Sequence, residues 1–128
     1  MKIFFAATVA LFSLSFMSTN SIAKDKESVY RHVVLFQFKD SATKEQIAEV
    51  EEAFAALPSK IDTITGYEWG TNVSPEGFNN ELTHCFIVTF ADQAGLKVYL
   101  PHKAHEEFVA KLKPILEKAV VVDFVPKD

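Results

Sequence analysis

The stretch Tyr30–Phe38, YRHVVLFQF, is rich in β-branched and aromatic residues and predicts a β-strand. Side chains alternate between the two faces of a strand. One face carries His32, Val34, Phe36 and Phe38, and the other carries Arg31, Val33, Leu35 and Gln37. Both faces hold large apolar residues, so both should be covered, and one layer of helices can cover only one of them.

A helix is predicted directly after this strand. Thr43 and Gln46 have the spacing of a capping box, in which each side chain bonds to the backbone of the other residue. Apolar residues then recur at intervals of three and four, which places them on one side of a helix. These residues are Ile47, Val50, Phe54 and Leu57. Pro58 should end this helix, because proline interrupts the hydrogen bonding of a helix.

Two further strands and a second helical region are predicted downstream. Residues 64–73 and 83–90 have the composition of strands, and a turn-rich segment at 74–80 separates them. Asp92 can cap a short helix at 93–100. Pro101 then precedes a longer helix predicted at 102–118, which Pro114 should bend. Residues 119–125 are apolar on both faces and predict the last strand.

The predicted order of elements is β-α-β-β-α-β, the arrangement of ferredoxin-like domains. The expected fold class is therefore α+β, with one four-stranded antiparallel sheet and the helices on one of its faces. The opposite face, which includes Val33, Leu35 and Ile87, needs a cover. A second copy of the chain would supply it through a two-fold symmetric interface. We therefore predict a homodimer formed through the sheet face.

The first residues have the pattern of a secretory signal peptide. Lys2 supplies a positive charge, residues 3–17 are almost wholly apolar, and Ser21 and Ala23 are the small residues that precede a cleavage site. The apolar run is shorter than the roughly 18 residues that a membrane-spanning helix needs. We predict a signal peptide at 1–23, a flexible lead at 24–29 and one domain at 30–126. The mature protein would be periplasmic or secreted, without attachment to the membrane.

Charge and cysteine content narrow the range of partners. The formal net charge is −4 at pH 7, and no basic stripe with interleaved aromatic residues indicates a nucleic-acid surface. Cys85 is the only cysteine, so no disulfide can form within one chain. Its position in an apolar run favours a buried cysteine that packs as a small apolar residue. We predict no cofactor.

Residues suited to chemistry concentrate in the stretch Tyr99-Leu100-Pro101-His102-Lys103-Ala104-His105-Glu106-Glu107-Phe108. Residues three apart share a helix face, so His102 and His105 can point the same way. Imidazole titrates near neutral pH, and the phenol of Tyr99 can donate a proton or orient an oxyanion. The stretch predicts one wall of a pocket for acid–base chemistry, and packing residues are the alternative interpretation.

Motifs along residues 30–126 carry a family resemblance. They are RHVVLFQFK at 31–39, Trp69-Gly70, Thr83-His84, Tyr99 with residues 102–108, and VDFVP at 122–126. In order and spacing they resemble the stress-responsive dimeric α/β-barrel domain proteins of plants and bacteria. In that family two ferredoxin-like sheets face each other as an incomplete barrel, which implies a dimeric α/β barrel here. The family often has His-Pro-x-His, whereas here Pro101 precedes His102.

The resemblance implies roles for particular residues. A plant cyclase of this family closes a linear polyketide by an aldol condensation, and its catalytic tyrosine and histidine match Tyr99 and His105. His105 would then be a general base, and Tyr99 would hold or polarise a carbonyl substrate. The expected ligand-binding residues are His32, His84, Phe54, Phe86, Val88, His102 and Phe108. Export would separate the protein from coenzyme A, which carries the substrate of that cyclase.

Four functional hypotheses stay open at this point. The first is an exported homodimer that holds a small apolar or aromatic molecule in a pocket lined by histidine and tyrosine. The second is an enzyme of lyase, cyclase or isomerase type that uses His105 and Tyr99. The third gives the histidines a structural role and makes the dimer the functional unit. The fourth brings His32, His84, His102 and His105 to one metal ion, but neighbouring strands and a helix need not provide zinc distances, and we predict no metal.

Overall fold

The computed structural model describes residues 29–128, so the predicted signal peptide and most of the predicted lead lie outside the described residues. In chain order the elements are β1 (Tyr30–Phe38), α1 (Lys44–Lys60), β2 (Ile64–Thr71), β3 (His84–Phe90), α2 (Gln93–Tyr99), α3 (Lys103–Leu112), a 3₁₀ turn (Lys113–Ile115) and β4 (Leu116–Phe124). Among residues 29–128, no helix combines the length and the apolar composition needed to cross a membrane.

One four-stranded sheet organises the domain. Its strand order is β2-β3-β1-β4, and every neighbouring pair of strands is antiparallel. This confirms the α+β, ferredoxin-like fold expected from the order of the elements. β1 lies inside the sheet, and the register sets its residue His32 beside Asp123 of β4 on one side and beside Val88 of β3 on the other.

The core lies between the helices and one face of the sheet. Alternate residues of β1 and β3 are buried on that face, as the alternation in the sequence predicts. α1 packs Val50, Phe54 and Leu57 against it, and all three are buried. The rings of Phe54 and Phe86 are stacked, with centroids 4.3 Å apart. The helical stripe and the strand alternation therefore meet in one aromatic core.

Both predicted helix caps are confirmed. The side chain of Thr43 accepts a hydrogen bond from the backbone N–H of Gln46 at 3.1 Å, and the side chain of Gln46 accepts one from the N–H of Thr43 at 2.9 Å. At the start of α2, the Asp92 carboxylate accepts a hydrogen bond from the N–H of Gly95 at 3.1 Å. Each cap satisfies backbone groups that a helix start would otherwise leave unpaired.

Several element ends differ from the prediction. Pro58 lies inside α1, which continues to Lys60, because in the last turn proline removes a single backbone hydrogen bond. The helix predicted at 102–118 is wrong in its second half. α3 ends at Leu112, Pro114 lies in the 3₁₀ turn, and the chain from Leu116 onward pairs with β1. β2 also ends early, at Thr71.

The sheet face opposite the helices is not covered by a helix among the described residues, and apolar side chains fill its middle. Its partly buried side chains are Val33, Leu35, Cys85, Ile87 and Val120. On β4 this face continues through Val122 and Phe124, which are 52% and 43% exposed. A continuous apolar surface of this kind is typical of an interaction surface.

Candidate functional site

A cavity of about 320 Å³ lies between the sheet and the helices, at the end of β1 where the chain enters the domain. Its apolar walls include Val34, Phe36, Phe54, Leu96, Phe108 and Leu112. Its polar groups come from His32, Tyr99, His105 and Asp123. Leu100, Ala119 and Val121 complete the lining, and the partial exposure of Leu100 and Val121 marks its opening to solvent.

The connection between α2 and α3 positions His105 at this cavity. His102 is the residue that caps α3, and its Nδ1 accepts a hydrogen bond from the backbone N–H of Ala104 at 3.0 Å. The N–H of His102 donates to the carbonyl oxygen of Tyr99 at 3.1 Å, which closes the turn. His102 therefore lies outside the helix, and the expectation that His102 and His105 share a helix face is wrong.

His105 has a fixed arrangement of its ring protons. Its Nδ1 lies 2.9 Å from the carbonyl oxygen of Leu100, and because a carbonyl oxygen only accepts, Nδ1 carries the hydrogen. When the ring is neutral, Nε2 is the unprotonated nitrogen. Burial lowers the pKa of His105 below its ordinary value, partly offset by the hydrogen bond to Leu100. The ring is therefore a neutral base at physiological pH.

Tyr99 lies between the two histidines of the cavity. Its ring centroid is 4.4 Å from that of His105 and 5.8 Å from that of His32. The side chain is 1% exposed. Burial raises the pKa of Tyr99 far above its ordinary value, so the phenol keeps its proton. Tyr99 can therefore donate a hydrogen bond to a ligand in the cavity.

Asp123 is a site residue that the sequence reasoning missed. His32 Nδ1 lies 2.6 Å from Asp123 Oδ1, and the hydroxyl of Tyr30 donates to Asp123 Oδ2 at 2.9 Å. The carboxylate thus fixes the orientation of the His32 ring. His32 and Asp123 each lie in a motif that the sequence shows, at 31–39 and at 122–126. The sequence does not show that the two residues are neighbours, because the register of β1 and β4 follows only from the folded sheet.

The structure brings five of the predicted site residues to this cavity: His32, Phe54, Tyr99, His105 and Phe108. It leaves four outside the lining. His102 caps α3, and Phe86 and Val88 are fully buried in the core. His84 lies at the other end of β3, where the Glu51 carboxylate accepts from its Nε2 at 2.9 Å.

Both ring nitrogens of His84 have hydrogen-bond partners. Besides the contact with Glu51, its Nδ1 lies 2.8 Å from Thr83 Oγ1, and its ring stacks on Trp69 at a centroid distance of 6.0 Å. Both ring nitrogens are therefore occupied, which favours a structural role. Within residues 29–128 there is no group of three or more histidine, cysteine, aspartate or glutamate residues that could hold a metal ion.

Comparison with known proteins identifies relatives of this chain. Residues 30–126 match the family described as the stress responsive A/B barrel domain. The chain is 34% identical over 96 residues to the stress-response A/B barrel domain-containing protein HS1 of Arabidopsis thaliana, covering 75% of this chain and 88% of that protein. It is 27% identical over 97 residues to olivetolic acid cyclase of Cannabis sativa, covering 76% of this chain and 96% of the cyclase.

A solved structure is similar as well. It is described as a dimeric ferredoxin-like protein of unknown function from Thermobifida fusca, and the two structures superpose with a TM-score of 0.68. The sequences are 25% identical, and the match covers 79% of this chain and 93% of the other.

Proposed function

This chain belongs to the stress-responsive A/B barrel domain family, and from that membership we propose that it is a homodimer that binds a small apolar or aromatic molecule. The binding site is the cavity between the sheet and the helices. One observation carries the proposal: the cavity has apolar walls and holds His32, Tyr99 and His105 as convergent polar groups. Ligand sites in proteins commonly combine an apolar lining with a few placed polar groups.

The dimer proposal is supported by the uncovered sheet face. Burying that apolar face against a second copy removes it from water, which favours association. The relative from Thermobifida fusca is described as dimeric. The partner would cover the face of the sheet opposite the ligand cavity, so binding and association would use different surfaces.

A binding experiment with a blocked cavity tests the ligand proposal. 2-Acetylnaphthalene, a small neutral aromatic ketone, should bind saturably at one site per protomer in isothermal titration calorimetry. The variant Ala119→Trp places a large ring in the cavity lining and should weaken binding at least about tenfold. Ala110→Trp, on the exposed side of α3, is the matched control and should bind as the wild type does. Absence of saturable binding to the wild type contradicts the proposal.

A second candidate function is catalysis, and the fixed tautomer of His105 beside Tyr99 favours it. Nε2 of His105 would take a proton from the carbon next to a carbonyl group, and the phenol of Tyr99 would donate a hydrogen bond to the carbonyl oxygen as it gains negative charge. The C–H bond electrons then form the enolate, and the proton stays on His105 until it is returned. Such a step belongs to aldol, lyase and isomerase reactions alike. Olivetolic acid cyclase is one enzyme among the relatives.

Proton exchange tests this candidate without the natural substrate. In D₂O, a protein that enolises 2-acetylnaphthalene should speed the replacement of its methyl hydrogens by deuterium, measured by NMR. His105→Ala and Tyr99→Phe should each slow the catalysed exchange about 100-fold. Exchange no faster than in buffer, with binding intact, leaves the protein a binding module and rejects the catalytic candidate.

We also propose that residues 1–23 direct export, because they combine a positive start, an apolar run and small residues before Ala23. The mass of the protein recovered from outside the cytoplasm should correspond to a chain that begins at Lys24. An unprocessed chain that stays in the cytoplasm contradicts export. It would leave the ligand proposal unaffected, because the cavity lies within residues 32–123.

A further inference from the structure

The cavity lacks any cation of permanent charge. No lysine or arginine belongs to its lining among the described residues, and the Asp123 carboxylate is the one acidic group there. The exposed lining residues Leu100 and Val121, 46% and 55% exposed, carry no charge, and Asp123 is exposed as well. A ligand that enters this space therefore meets apolar side chains and a carboxylate, and no lysine or arginine.

The cations on the surrounding elements are directed elsewhere. Arg31 lies on the other face of β1, where it donates to Thr89 Oγ1 at 3.3 Å. Lys118 of β4 donates to the carbonyl oxygen of Asn80 at 2.7 Å. Lys103, at the start of α3, is exposed and lies 3.9 Å from Glu107. None of these side chains lines the cavity, so none can neutralise an anion bound there.

The histidines of the cavity do not replace the missing cation. His32 already faces the Asp123 carboxylate at 2.6 Å, so an anionic ligand would be a second negative group beside one imidazole. His105 uses Nδ1–H on the Leu100 carbonyl, and burial disfavours a second proton on its ring. Removing an anion from water without a partner charge costs several kcal/mol.

From these observations we propose that the cavity selects neutral carbonyl or hydroxyl compounds and rejects ligands of the same shape that carry a carboxylate or a phosphate. The proposal rests on the proposed ligand-binding function and names its substrate class. The phenol of Tyr99 supplies a hydrogen-bond donor that a neutral carbonyl oxygen can accept. The apolar walls surround the rest of the molecule.

A matched pair of probes tests this selectivity. 2-Acetylnaphthalene and 2-naphthoate have nearly the same shape, because a methyl group in one replaces a carboxylate oxygen in the other. At pH 8, where the acid is ionised, calorimetry should give a dissociation constant for 2-naphthoate at least about tenfold larger than that for the ketone. Equal or tighter binding of 2-naphthoate overturns the selectivity and leaves the binding function standing. Binding of neither probe overturns both.

A cation added at the rim tests whether the missing cation causes the selectivity. Val121→Lys places an ammonium group at the opening of the cavity and should tighten binding of 2-naphthoate about tenfold. Val98→Lys is the matched control, because Val98 is 51% exposed and lies outside the cavity lining, and it should leave the affinity for 2-naphthoate unchanged. No gain in Val121→Lys, or the same gain in both variants, contradicts the assignment of the selectivity to the missing cation.

Discussion

His105 and His102 lie three residues apart and do different things. His105 lines the cavity with its Nε2 left to accept a proton, whereas His102 uses its Nδ1 to hold the first turn of α3. The sequence shows two similar imidazoles and cannot assign these roles. The difference arises because Pro101 and the turn after Tyr99 place the helix start at Lys103, which leaves His102 in the capping position.

The buried ring of His105 makes stability depend on pH. Burial lowers the pKa of His105 in the folded chain, so the unfolded chain binds the proton more readily. Stability is therefore unaffected above the ordinary pKa of 6.5 and falls as the pH drops below it toward the lowered value. His105→Gln removes the titration, and its melting temperature should fall less between pH 8 and pH 5 than that of the wild type.

Lys111→Gln provides the control for this comparison. Lys111 lies on the exposed side of the same helix and outside the cavity lining, so the variant should follow the wild type. Parallel curves for His105→Gln and the wild type would mean that protonation of this ring does not oppose folding.

The cap formed by His102 can be measured directly. His102→Ala removes the acceptor for the N–H of Ala104 and should lower the free energy of unfolding by about 1 kcal/mol. His102→Asn keeps a capping acceptor and should retain most of the stability. Chemical denaturation gives the free energies, and hydrogen exchange at the Ala104 amide reports the cap itself. Unchanged exchange in His102→Ala contradicts the capping role.

At the scale of elements, the helix caps are features that the sequence predicted correctly. The capping box of Thr43 and Gln46 and the cap at Asp92 were predicted because each depends on side chains within three residues of the helix start. The prediction that the helix continues past Pro114 was wrong, although the apolar residues there have helical spacing. The segment from Leu116 onward is a strand because it pairs with β1, and a pairing partner distant in sequence leaves no local pattern.

The capping box gives a prediction for α1. Thr43→Ala removes the hydroxyl that accepts the N–H of Gln46 and should destabilise the protein by about 1 kcal/mol in chemical denaturation. Thr43→Ser keeps the hydroxyl and should stay within about 0.5 kcal/mol of the wild type. A loss of the same size in both variants would assign the effect to the methyl group of threonine.

At the scale of the whole molecule, the two-sided composition of β1 predicted that the sheet has helices on one face and an apolar surface on the other. The structure has both features, which is why so much of the fold followed from one strand. The candidate site was less predictable. Five expected residues line the cavity, but Asp123 joins them only through the sheet register, and His84 lies apart because it occupies the opposite end of β3.

The uncovered sheet face gives a prediction about association. Leu35→Lys, and separately Ile87→Lys, places a charge in the middle of the apolar face and should convert the proposed dimer into a monomer in sedimentation analysis. Val98→Lys adds the same charge on α2 and should leave the dimer intact. A monomeric wild type, or a dimer that survives both substitutions, contradicts association through this face.

The pairing of His32 with Asp123 also has a consequence for protein synthesis. The two residues are in contact in the folded domain but lie 91 positions apart in the sequence. A growing chain therefore contains His32 long before Asp123 has been synthesised. Until β4 is made, β1 has an open edge that can pair with another unfinished chain. A translation product that stops before Leu116 would therefore lack part of the site and be prone to aggregate.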